Sequence, residues 1–225
     1  MRVELRRAIV AVSITVGALA LAGAAGARCG AGYSYAGLEG AVPAGGIAAT
    51  VTALSRPRVR AGHVAAWVGV GGYGLGPHGT DEWLQAGIAT RAGSTGHLYV
   101  EWKRPHRRSH YLELPGPVAA GVAHRVFVSE RLDASGVWQA FVDGIPAGPA
   151  VALPASHGRF YPLVVAESWD GGQRVCNRFA YRFKQIAVAS PVGAWASLRA
   201  AYELEDPGHR LVDRTPSGFT ARAVG

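Results

Sequence analysis

Short runs of alternating apolar and polar residues dominate this 225-residue chain, and Gly, Pro, Asp and Ser separate them. A period of two is typical of β-strands with one buried face, whereas the 3.6-residue period of helices is scarce here. The pattern therefore predicts an all-β domain. The candidate strands are 47–54, 64–70, 83–90, 97–102, 111–114, 124–130, 137–142, 163–169 and 178–188.

Three further stretches refine this prediction. Asp143-Gly144 directly follows a strand-like run and is a strong hairpin signal. Residues 198–205 alternate as a strand does, although their Ala and Glu content also tolerates a helix, and 218–224 is a candidate final strand. Residues 30–46 are rich in Gly and Ala, and we expect a loose leading segment there. This many short strands favours two stacked antiparallel sheets, a β-sandwich.

The first 27 residues have the pattern of a secretory signal peptide. A start with three arginines precedes the uncharged, mostly apolar run 8–24, and Ala25-Gly26-Ala27 is a small-x-small cleavage site. The run is short for a spanning helix and no stop-transfer flank follows it, so we expect no transmembrane anchor in the mature chain. The sequence predicts cleavage near Ala27, a secreted protein, and one domain over 28–225.

The charge balance is basic. The whole chain carries a formal net charge of +8; removal of 1–27 leaves 20 basic and 14 acidic residues, a net charge of +6. Such a surface attracts anionic cell-surface polymers, and it does not by itself indicate nucleic acid, which we do not expect as a partner. The densest basic run, 103–110, either holds an anionic polymer or is a solvated loop between strands, and we favour the loop.

Cysteine and histidine usage bears on covalent and metal chemistry. Two cysteines in an exported chain predict one disulfide, Cys29 to Cys176, with two unpaired thiols as the alternative. The histidines are scattered without a Cys/His cluster, so we predict no metal. The Gly-rich run 69–74 lacks the following helix of a dinucleotide site, and we predict no cofactor. We expect a monomer.

Two polar residues stand inside apolar strand-like runs. Gln85 shares a strand face with Trp83, and Glu167 shares one with Val165, while their neighbours point the other way into the core. A glutamate can act as general base toward water, and an amide N–H can stabilise an oxyanion. A Gln/Glu pair on one sheet face would therefore suit peptide hydrolysis. The alternative is two half-exposed polar residues on a solvated face.

Four segments in fixed order resemble the motifs of the glutamic peptidases, or eqolisins. They are Ala66-Trp67-Val68-Gly69-Val70, Leu84-Gln85-Ala86-Gly87, Tyr99-Val100-Glu101-Trp102 and Ala166-Glu167. The resemblance covers roughly residues 47–189. It implies a concanavalin A-like jelly roll in which Gln85 and Glu167 match the catalytic glutamine and glutamate. Trp67, Tyr99 and Glu101 would then shape the substrate groove.

The sequence thus supports a secreted glutamic-type endopeptidase that takes a polypeptide substrate in a sheet groove. Two other hypotheses stay open. One is a non-catalytic, lectin-like sandwich that binds a glycan or a peptide, since exposed aromatic faces serve either ligand. The other is a structural, wall-associated protein that uses its arginines.

Overall fold

Strands make up nearly all regular structure in residues 32–223, the part of the chain that the computed structural model describes. The only other regular element in that range is a 3₁₀ turn over Pro77–Gly79. The strands are β1 Tyr33–Gly40, β2 Gly46–Ala53, β3 His63–Gly72, β4 Glu82–Arg91, β5 Gly96–Lys103, β6 His110–Val118, β7 Ala123–Arg131, β8 Ala134–Val142, β9 Ile145–Ala152, β10 Pro162–Trp169, β11 Phe179–Ala189, β12 Trp195–Ser197, β13 Ala201–Glu205, β14 His209–Thr215 and β15 Gly218–Ala223.

The strands form two antiparallel sheets, which confirms the predicted β-sandwich. The front sheet has the order β13-β1-β10-β3-β4-β5-β6, and the back sheet has the order β14-β15-β11-β2-β7-β8-β9, with β12 beside β11. Among the described residues no helix is long and apolar enough to cross a membrane.

The core lies between the sheets and follows the alternation of the sequence. Leu84 and Ile88 of β4 point inward from the front sheet, and Trp138 and Phe183 point inward from the back sheet, all at most 1% exposed. Burying each such large side chain stabilises the fold by about 1.5–3 kcal/mol. The residues between them on each strand therefore point to the two outer faces, and the outer face of the front sheet carries the candidate site.

The Asp143-Gly144 turn is confirmed. It joins β8 to β9 as a two-residue hairpin in which both residues have positive φ, 51° and 82°. This is the geometry of a type I′ turn, for which Asp-Gly is a favoured pair because its backbone twist matches that of the strands.

The expectation of a loose segment over 30–46 is wrong for the middle of that segment. Residues Tyr33–Gly40 form β1, which pairs with β10 on one side and β13 on the other. The glycines of β1 weakened the strand pattern of the sequence. Gly37 is needed for packing, because a Cβ at this position would lie 2.7 Å from the Cα of Val165. The ambiguous stretch 198–205 contains strand β13 and no helix. Strands β9, β12 and β14 were not predicted.

The predicted signal peptide, 1–27, lies outside the described residues, so export and cleavage stay predictions. Cys29 also lies outside them, and the pairing of Cys29 with Cys176 likewise stays a prediction. Cys176 itself lies in the loop between β10 and β11.

Candidate active site

A cavity of about 560 Å³ opens on the outer face of the front sheet. Its floor is built from small residues on the two central strands, Ala65 and Gly71 of β3 and Ala89 of β4. Because these residues have little or no side chain, the larger groups around them leave a hollow. All five predicted site residues line it: Trp67, Gln85, Tyr99, Glu101 and Glu167.

Glu167 lies at one end of this hollow with only 7% of its surface exposed. Trp67 Nε1–H donates to Glu167 Oε2 at 3.0 Å, and His63 Nε2 lies 3.2 Å from Glu167 Oε1. Each carboxylate oxygen therefore has one protein partner and keeps a further lone pair that a water could use. The contacts fix the orientation of the carboxylate without closing it to a substrate.

Two side chains of the neighbouring strand β5 hold Gln85 by its amide nitrogen. Its Nε2 donates to Tyr99 Oη at 3.1 Å and to Glu101 Oε2 at 3.3 Å. The second bond is long for an N–H···O bond, whose usual distance is about 2.9–3.0 Å. A substrate oxygen that approaches Gln85 can therefore compete for that N–H.

Gln85 and Glu167 lie on the same face but do not stand side by side. Glu167 pairs in register with Ala65 of β3, and Gln85 pairs with Gly69 of the same strand. The offset is thus two strands and four residues, or about 10 Å across and about 13 Å along a flat sheet. Both long side chains line the same cavity, so a substrate segment lying diagonally across β3 would meet both.

Strands β3 and β4 approach each other closely at Trp67 and Gly87, beside the cavity. These two residues are register partners on β3 and β4. A Cβ on Gly87 would overlap the Ala66 carbonyl oxygen and lie 2.7 Å from the Cα of Trp67. Glycine here allows the backbones of β3 and β4 to approach closely at Trp67. The indole N–H of Trp67 donates to Glu167 of β10, the strand on the other side of β3.

Glu101 differs from an ordinary surface carboxylate. Burial, followed by the negative charge of Glu167, raises the pKa of Glu101 from 4.5 to about 7, against weaker opposing effects of His63 and Ser109. Burial also raises the pKa of Tyr99 well above 10, so its hydroxyl stays neutral. At acid pH the cavity therefore carries a neutral carboxylic acid next to Gln85.

Sequence reasoning missed an aromatic cluster beside Glu167. Tyr33 stacks on Tyr35 and on Trp169, with ring centroids 6.3 and 6.1 Å apart, and His63 lies 5.5 Å from the Trp169 ring. The tyrosines belong to β1, which we expected to be loose. Their alternation, Tyr33-x-Tyr35, was an available strand signal.

Metal binding has no visible basis in the described region, where no group of three or more His, Cys, Asp or Glu side chains is arranged to hold an ion.

The basic run 103–110 connects β5 to β6, and most of its residues are exposed.

Comparison with known proteins relates this geometry to solved structures. No family model and no curated protein matches the chain. Two crystal structures of scytalido-glutamic peptidase, each with a transition-state analogue, match it with TM-scores of 0.62 and 0.60 at 16% identity. The chain has the glutamic-peptidase fold. The match covers 86% of this chain and 98% of each of those chains.

A third structure with this fold is SCP-B, a member of the eqolisin family solved with the tripeptide Ala-Ile-His. Its TM-score is 0.57 at 17% identity, with the same two coverages of 86% and 98%. The resemblance stated from the four motifs is thus confirmed for the fold.

Proposed function

We propose that this protein is a glutamic-type endopeptidase that hydrolyses peptide bonds with Gln85 and Glu167. The observation that carries the proposal is the carboxylate of Glu167, almost fully buried and oriented by Trp67 and His63 in the cavity that Gln85 also lines. A solvated sheet face would not hold a carboxylate in this way, because burial of a charge is costly unless it is paired or hydrogen-bonded.

The reaction would begin with a water bound to a free lone pair of Glu167. Glu167 accepts a proton from this water as its oxygen attacks the scissile carbonyl carbon, and the carbonyl oxygen becomes negative. Gln85 Nε2–H donates to that oxyanion. The carboxylic acid of Glu167 then returns the proton to the leaving amine as the C–N bond breaks.

Neighbouring residues would tune these two groups. Tyr99 is 1% exposed, and its hydroxyl oxygen accepts a hydrogen bond from the Gln85 amide. This hydroxyl stays neutral and adds no charge to the site. Glu101, when protonated, lets the Gln85 N–H turn to the substrate, because a neutral acid is a weaker acceptor than a carboxylate. This assignment favours activity at acid pH.

The test is digestion of an unfolded protein substrate by wild type, Glu167→Gln and Gln85→Ala, from acid to neutral pH. We expect Glu167→Gln to lose at least about 10²-fold in kcat/KM, the lower end for a general base. Gln85→Ala should lose about 10²–10³-fold, as for one oxyanion donor. Glu113→Gln, an exposed carboxylate on β6, is the matched control and should retain activity.

Equal cleavage by all variants would remove the proposed mechanism. If the folded wild type cleaves no peptide in a broad substrate library, the protein is instead a binding module of the same fold. Glycan or peptide binding in the cavity would then identify its ligand. From the signal pattern of residues 1–27 we also propose that the protein acts after export.

A further inference from the structure

The outer face of the back sheet, opposite the cavity, carries a row of cationic side chains. Arg210 of β14 lies directly opposite Arg222 of β15, and Arg222 lies opposite Ala180 of β11. The residues flanking each arginine, such as Leu211 and Ala221, belong to the core. Alternation therefore directs both arginines to solvent on the same face, and both are exposed.

The row continues diagonally across the sheet. Arg182 and Lys184 follow on β11, where Phe183 between them is in the core. Lys184 pairs in register with Thr50 of β2, which pairs with Arg125 of β7. We call Arg125, Arg182, Lys184, Arg210 and Arg222 the basic strip. It crosses four strand spacings and four residues, a diagonal of about 23 Å.

No carboxylate forms an ion pair with the basic strip within the region the structure describes. The arginine ion pairs there lie elsewhere, at Arg131–Asp133 and at Arg214 with Glu203 and Glu205. Asp143 approaches the end of the strip, but it accepts from the backbone N–H of Arg125 and contacts the His124 ring.

Like charges directly opposite each other destabilise a sheet. Two pairs nevertheless place arginines opposite each other: Arg210 with Arg222, and Arg58 with Arg178, an isolated bridge directly before β11. A local cost without a compensating contact is expected at functional sites. A bound polyanion would supply that contact, because guanidinium groups bind carboxylate and sulfate groups in a bidentate manner.

We propose that the basic strip binds a linear acidic polysaccharide. Its extended shape fits a chain with anionic groups at intervals better than a single anion. The aromatic side chains next to it, Phe127 and Phe141, stack on each other with centroids 4.4 Å apart, so the two ring faces in contact are closed to nucleic-acid bases. Because the strip and the cavity lie on opposite sheets, the bound protein would keep its cavity open to a substrate.

Binding of the full chain to polygalacturonate tests this proposal, with neutral dextran as the uncharged comparison. We expect wild type to bind polygalacturonate with an affinity that falls steeply as salt increases, and not to bind dextran. The triple variant R182Q/K184Q/R222Q should bind at least about tenfold more weakly. Its urea unfolding midpoint should equal or slightly exceed that of wild type, because loss of the Arg222 charge removes its repulsion with Arg210.

The matched control is R104Q/R107Q/R108Q, which removes the same number of charges from the exposed β5–β6 turn. It should retain near-wild-type affinity. An equal loss in both triple variants would show that binding follows net charge, and absence of wild-type binding would overturn the proposal outright. Tighter binding to single-stranded DNA or to anionic phospholipid vesicles than to polygalacturonate would overturn the assignment to a polysaccharide.

Discussion

Glu101 should set the upper pH limit of the proposed activity. Its Oε2 lies 3.3 Å from Gln85 Nε2, and its pKa is raised to about 7, first by burial and then by the charge of Glu167. The group is therefore neutral in acid and negative above neutrality, beside the amide that would donate to the oxyanion. Glu101→Gln keeps the shape and hydrogen-bonding capacity while removing the charge, so it should sustain activity at higher pH.

The size of the effect follows from the geometry. An oxyanion that accepts from Gln85 Nε2 at about 2.9 Å would lie about 5–6 Å from Glu101 Oε2. At an effective dielectric constant of about 20, two unit negative charges at that distance repel by about 3 kcal/mol. Because about 1.4 kcal/mol corresponds to tenfold in rate, ionised Glu101 should lower kcat/KM by about 10²-fold.

The assay is kcat/KM for a quenched fluorescent peptide, measured from about pH 5 to about pH 8. Wild type should lose activity with a midpoint near the pKa of Glu101, whereas Glu101→Gln should lack that descending limb. Glu113→Gln serves as the control with a carboxylate removed from an exposed site, and its profile should follow wild type. Parallel profiles for wild type and Glu101→Gln would refute the role given to this carboxyl group.

Three further changes test the structural part of the account. Trp67→Phe removes the N–H that donates to Glu167 and should lower kcat/KM by at least about tenfold with a smaller effect on KM, since bonds to charged groups contribute about 1.5–3 kcal/mol; an unchanged kcat would contradict it. Gly87→Ala should destabilise the fold by about 1–3 kcal/mol in urea unfolding because its Cβ overlaps the Ala66 carbonyl, and wild-type stability would show that β3 and β4 are not so close. Glu82 is fully buried, neither of its oxygens has a hydrogen-bond partner of normal geometry among the described residues, and burial raises its pKa from 4.5 to about 7. The folded protein therefore holds this proton more tightly than the unfolded chain, so the Glu82 contribution to stability should fall by on the order of 3 kcal/mol as pH rises from about 4.5 to about 7. Unfolding free energies of Glu82→Gln should lack this part of the pH dependence, and an unchanged slope would be evidence against a buried neutral carboxyl.

Local patterns predicted the part of the site that depends on strand phase. Alternation in β4 was enough to put Gln85 on the face away from Leu84, and the same reasoning placed Glu167 opposite Val164 and Ala166. The Asp143-Gly144 turn was also local, since its two positive φ angles depend on only those residues.

Pairing between distant strands was beyond such reasoning. His63 reaches Glu167 across 104 positions of sequence, and it does so because β3 and β10 pair with Trp169 opposite His63. Nothing near His63 in the sequence indicates that register. Tyr33 was missed for a different reason. The small residues around it weaken the local strand signal, and pairing with β10 nevertheless makes this segment a strand.

Affinity for a peptide-based transition-state analogue tests the central claim most directly. A site that stabilises the oxyanion binds a tetrahedral analogue far more tightly than a ground-state peptide. Wild type should bind the analogue at least about 10²-fold more tightly than Gln85→Ala does, while the two should bind the matching uncleaved peptide within about threefold of each other. An equal loss of affinity for both ligands in Gln85→Ala would contradict the assignment of Gln85 to the oxyanion.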